Sequence, residues 1–310
     1  MSQKDEIKKA LTLASEGKRT QARANLLKLD PQIKDPHTRL QFIDVAIGVL
    51  SPVEDNLKIL ALLVEGLKIT SALNLKDLRA HFLGRLADMS MHQVVLRRHR
   101  MAMLKLPPRW VEFATEAEKQ EFDSLSAEVQ TLEAGIDSSL ADAISLANQT
   151  GNKRIQALVL MAKGSIESSR YIQYKVVCMR GGLRTKLWSR YEFMRYPLPE
   201  YLLLLSNGDA RKLNAHVKKF TDSFLVAAAL FEELNDPLAA IAYHNLANDL
   251  KTAYRFRAAK RYLAKGRQIA MRHDDKPTIR QIDEMERIIS EKNRDIPDYI
   301  NGETRDLDSR

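Results

Sequence analysis

The sequence predicts an all-α chain of antiparallel helix hairpins stacked as an α-solenoid, and three observations carry that expectation. First, only 12 Gly and 10 Pro occur among 310 residues, against 45% apolar and 29% charged residues. Ala, Leu, Lys, Arg and Glu dominate, and these are strong helix formers. Second, apolar residues recur at spacings of three and four, with no sustained alternation of period two. Third, the chain resembles itself under a long shift, the mark of a repeat architecture.

Taken in order, helix breakers fall at Gly17, Pro31, Pro36 and Pro52, then at Pro107-Pro108, Gly151 and Gly181-Gly182. Further breaks follow at Pro197 to Pro199, Asn207-Gly208, Pro237 and Asp274-Asp275. Helices of about 11 to 25 residues remain between them, and breaks this short imply antiparallel neighbours. A shift of 77 residues lays LLKLDP (Leu26 to Pro31) on MLKLPP (Met103 to Pro108), and Ala10 on Ala87. It also carries Ala80, Leu83 and Ala87 onto Ala157, Leu160 and Gly164, and a step of 83 then reaches Ala240, Tyr243 and Ala247. Small residues matter here because two antiparallel helices approach to about 8 Å only where a side chain is Gly or Ala. The expected organisation is a helical array over 1–294, best matched at 3–30 and 237–272 and divergent over about 91–236. A flexible acidic tail follows over 295–310, since DIPDYINGETRDLDSR carries too little apolar content to pack alone.

Composition also bounds the setting. The single cysteine, Cys178, makes no internal disulfide and no multi-cysteine zinc site, which suits a reducing compartment. The opening residues MSQKDEIKKA lack an apolar core, so no signal peptide is expected, and the apolar runs near Leu57 to Leu67 and Phe224 to Phe231 are too short to cross a bilayer. A cytoplasmic protein with no membrane partner is the expectation. Net charge is +9 and the pI about 9.5, which favours acidic partners. That charge is banded. His92 to Arg109 holds Arg97, Arg98, Arg100, Lys105 and Arg109 with no acid, whereas Glu112 to Asp142 is acidic except for Lys119. Lys175 to Arg195 and Lys251 to Arg267 form two further basic bands.

One unit carries a family resemblance. Tyr243-x2-Leu246-Ala247-x2-Leu250 followed by Ala259-x3-Leu263 resembles the tetratricopeptide repeat pattern of aromatic, Leu, small and apolar, then Ala and Phe. Ala10, Leu13, Gly17, Ala22 and Leu26 keep the same spacing without the aromatic. Near Gly164 the first helix fits, but its partner from Tyr171 carries Val176, Arg180 and Gly182 where Ala, Phe and Ala belong. The resemblance implies that the first helix of each hairpin lines a groove. In the last full unit that face presents Ile241, His244, Asn248, Lys251 and Thr252, with Asn248 the best single contact for an extended peptide. The matching positions Gly84, Asp88, Met161 and Ser165 build no full carboxylate clamp.

A non-catalytic scaffold or regulatory adaptor holding a protein segment is therefore expected, with two competing readings. Arg257, Arg261 and Lys265 fall at i, i+4 and i+8 beside Lys260 and Arg267, and Tyr254, Phe256 and Tyr262 interleave with them. Lys175, Arg180, Arg184, Lys186 and Arg190 mix with Tyr174, Trp188 and Tyr191 in the same way. Such ridges suit the backbone of RNA or DNA, although aromatics at helical spacing are usually core. The other reading pairs the acidic stretch from Glu112 with a basic band of the same chain or of a second copy, which would lead to self-association. Catalysis, cofactors and metals are not expected. No phosphate-binding Gly loop or His-Glu-x-x-His occurs, His92 and His99 are too far apart for an i, i+4 metal pair, and His81, His216 and His244 are isolated.

Overall fold

The computed structural model describes residues 2–52, 54–104, 115–180 and 210–293, and among them the regular elements are eleven α-helices and one 3-10 turn. The helices are α1 (Gln3–Ser15), α2 (Arg19–Leu29), α3 (Pro36–Val49), α4 (Asn56–Ala72), α5 (Lys76–Leu104) and α6 (Glu116–Thr150). They continue as α7 (Lys153–Arg180), α8 (Ala210–Glu233), α9 (Leu238–Thr252), α10 (Phe256–Arg272) and α11 (Lys276–Asn293). None of the described helices is long and apolar enough to cross a membrane.

Local chemistry explains the boundaries. Ser2 caps α1 in a capping box with Asp5, and Thr115 does the same for α6 with Glu118. Asp35 caps α3 by accepting from the Thr38 N–H at 2.8 Å, with Pro36 in the first turn. Pro31 sits in the 3-10 turn Asp30–Gln32 that follows α2. Five short connections close with one device, a left-handed residue after the helix: Gly17, Asn74, Asn235, Tyr254 and Asp274. The next N–H then returns to a carbonyl in the last turn, as in Arg255 to Leu250 at 2.8 Å and Asp236 to Phe231 at 2.9 Å. Two of these turns escape the sequence expectation. The chain breaks at Asn74, where no breaker was expected, and Tyr254 lies in a turn rather than starting a helix. At 29, 35 and 28 residues, α5, α6 and α7 also exceed the expected lengths.

The chain forms two compact units, Met1–Ala162 and Lys163–Arg310. In the first, α3 packs against both α1 and α2, then α3 meets α4, α4 meets α5, and α5 pairs with α6. Its core gathers Leu26, Phe42, Ile43, Leu62, Leu63, Phe82 and Met89, all buried. Arg39 ties this unit together, donating to both Glu65 oxygens at 2.7 Å and to the Asp30 carboxylate at 2.5 Å. Arg23 likewise joins α2 to Asp55, the residue that precedes α4.

In the second unit α8 packs on α9, α9 on α10, and α11 on both α9 and α10. Each terminal hairpin thus carries a third helix laid across it, α3 on α1 and α2, and α11 on α9 and α10. The expected small residues sit at these crossings. Ala10, Ala22, Ala240, Ala247 and Ala259 are fully buried. Gly266 lets the last hairpin close up: a Cβ there would lie 3.2 Å from the Ala240 carbonyl oxygen, 3.3 Å from Tyr243 Cβ and 3.5 Å from Ile282 of α11. Gly164 of α7 faces the ring of Phe224, which a Cβ would meet at 2.8 Å.

Candidate binding surfaces

The polar strip of α9 is built by the helix period. Ala240, Tyr243, Leu246, Ala247 and Leu250 turn inward, which leaves Ile241, His244, Asn245, Asn248, Lys251 and Thr252 half-buried on another side. Asn248 is held in place there. Its Oδ1 accepts from Lys251 Nζ at 2.9 Å, its carbonyl accepts from Thr252 Oγ1 at 3.0 Å, and its Nδ2 donors have no partner among the described residues. Burial pushes the His244 imidazole below its ordinary value, with a partial counterweight from Asn245 and a further push from the Lys251 charge. Asp249 borders the strip. Burial drives its carboxyl up to about 7, only partly offset by a hydrogen bond from Ser168 of α7 and by the Lys251 charge.

The matching positions in the first unit do not extend the strip. Gly84 is closed by α7, since a Cβ would lie 3.6 Å from Val159 and 3.7 Å from Ala162. Asp88 is half-buried 3.2 Å from Arg85, and burial raises its carboxyl against the Arg85 and His92 charges.

The basic bands part company. Arg97, Arg98 and Arg100 reach across the α5–α6 hairpin to Glu128, Glu133 and Glu121 at 2.6, 2.8 and 2.7 Å. The acidic stretch therefore meets a basic band within its own chain. Lys175 and Arg180 end α7, but their side chains, like Arg184, Lys186, Arg190 and Trp188, lie outside the described residues, as does the tail over 295–310. On α10, Arg267 pairs with Asp283 and with Glu286 (2.7 Å) of α11. Arg257, Lys260, Arg261 and Lys265 are exposed. The interleaved aromatics are not open stacking groups. Phe256 is core, and Tyr262 stacks on Tyr243 with ring centres 5.9 Å apart and planes 9° from parallel. Arg261 and Lys265 lie over these rings at 5.2 to 5.9 Å.

Two histidines isolated in sequence find carboxylates in space. His81 Nε2 lies 3.1 Å from Asp44. His216 Nδ1 lies 3.7 Å from Glu167 Oε2, while Arg170 donates to Glu167 Oε1 at 3.0 Å. Glu167 is 6% exposed, and its burial on α7 gave no sequence signal because only Arg170 is near it in sequence while His216 comes from α8. Among the described residues no three His, Cys, Asp or Glu side chains converge as a metal site.

These features define an all-helical protein with polar surfaces on packed hairpins. Scanned against protein-family models the chain matches none, and a search of curated proteins finds no relative.

Proposed function

We propose that this chain is a non-catalytic scaffold or adaptor of the tetratricopeptide-like solenoid kind, holding an extended protein segment along the polar strip of α9. The carrying observation is Asn248: a half-buried amide, its Oδ1 held by Lys251, with its Nδ2 donors free to meet a main-chain carbonyl. A fixed donor loses little entropy on binding, which favours recognition of extended backbone. The solenoid reading draws support from the third helix laid across each terminal hairpin and from the small residues at those crossings. The segment is held by its main chain rather than by a terminal carboxylate, because Asp249 borders Lys251 and no second cationic position continues the strip.

The test selects peptides from a random display library on the intact chain and measures their affinity for it and for the Asn248→Ala/Lys251→Ala double variant. Loss of one neutral and one charged hydrogen bond predicts at least a tenfold weaker complex, about 1.4 kcal/mol. Equal affinity for the two proteins would remove the strip from the interface.

A further inference from the structure

We propose that the solvent face of α10 binds the phosphate backbone of a nucleic acid, without reading its sequence. This site is separate from the α9 strip and does not depend on it. The helix carries Arg257, Lys260, Arg261, Lys265, Arg267 and Arg272 and no acid. Arg267 is turned to the acids of α11. Among the described residues no ion pair joins Arg257, Lys260 or Lys265. The contrast with Arg97, Arg98 and Arg100 is direct, because there a facing helix supplies one glutamate to each arginine.

Geometry makes the α10 charges a row. Arg257, Arg261 and Lys265 follow at four-residue steps, about 6 Å apiece along the axis, with Lys260 beside them. The stacked Tyr243 and Tyr262 rings lie beneath Lys265, and Tyr262 lies beneath Arg261, so these long side chains rest on a fixed platform. Tyr243 is itself anchored, donating its hydroxyl to Glu232 at 2.6 Å. A row of preorganised cations gains affinity by releasing counterions from phosphates, which needs no pocket.

The same face is poorly made for other acidic partners. A membrane surface requires an apolar stripe to insert, and Phe256, Leu263 and Ile269 of α10 are already buried against the neighbouring helices. An acidic protein segment requires anchoring pockets, whereas Ala264 and Gln268 are the residues exposed between the cations, with Met271 the one large apolar side chain open at the end of the helix.

The experiment is fluorescence anisotropy of labelled single-stranded and duplex oligonucleotides of mixed sequence, titrated with the intact chain over a salt series. Phosphate contacts from Arg257, Lys260 and Lys265 predict that log affinity falls with log salt with a slope of about −2 to −3. Arg257→Gln and Lys260→Gln, changed singly, each lower the steepness by about one. The Arg257→Gln/Arg261→Gln/Lys265→Gln variant, checked for intact helix by circular dichroism, binds at least tenfold more weakly at low salt. Arg97→Gln/Arg98→Gln/Arg100→Gln leaves the slope unchanged. Absence of binding to either oligonucleotide at low salt overturns the proposal. So does an unaltered slope in both single variants, or tighter binding to poly-glutamate of equal charge or to phosphatidylserine vesicles.

Discussion

At Gly266 both helices of the last hairpin come close to α11, and the nearest atoms are a backbone oxygen and a Cβ, neither of which swings aside. Gly266→Val therefore forces α10 away from α9, and a loss of about 2 kcal/mol or more is expected in urea unfolding. Gly17 tests a different term. Its φ is +81° and an added Cβ would touch nothing within 4 Å, so Gly17→Ala isolates backbone strain and costs about 1 kcal/mol. Asp249 supplies a pH test. Its folded carboxyl titrates at about 7 against an ordinary 3.8, so the native state holds the proton more tightly than the unfolded chain. The stability linked to that proton is complete below pH 4, declines as pH rises from 4 to 7, and is gone above 7. The decline is on the order of 4 kcal/mol before solvent screening. Asp249→Asn should abolish this decline, so thermal melts at pH 8 should show the variant more stable than the parent. A parent whose melting temperature holds level from pH 5 to 8 while the variant's tracks it would show that Asp249 is ionised throughout.

Across elements, the α5–α6 hairpin explains what composition hides. Bands at 97–100 and 257–265 look alike in sequence, yet Arg97, Arg98 and Arg100 are neutralised across a hairpin while Arg257, Lys260 and Lys265 pair with no described carboxylate, because pairing depends on which helix faces which. Each exposed Arg–Glu pair contributes only about 0.2 to 1 kcal/mol. Arg97→Gln/Arg98→Gln/Arg100→Gln should thus lower the melting temperature only slightly, with the deficit shrinking in high salt as the parent pairs are screened. The helical class and the small crossing residues were legible, since period and size are local properties. The turns at Asn74 and Tyr254 were not, because neither residue is a strong breaker and both adopt the left-handed conformation to close a tight connection. Asn248 and Lys251 lie on one side of α9 as helical spacing implies, whereas the raised carboxyl of Asp249 and the burial of Glu167 depend on packing between helices, which spacing does not reveal.

At the scale of the whole chain, a basic protein keeps part of its charge for its own packing and leaves part of it open. The α9 strip and the α10 row lie on successive helices of one unit, and their chemistries differ: a held amide on one, exposed cations on the other. The scaffold reading stands on the first. Its most direct test is hydrogen–deuterium exchange of the intact chain with and without a peptide selected on it. The account predicts added protection over residues 241–252 that disappears in the Asn248→Ala/Lys251→Ala variant. Protection confined to other helices, with 241–252 unchanged, would contradict it.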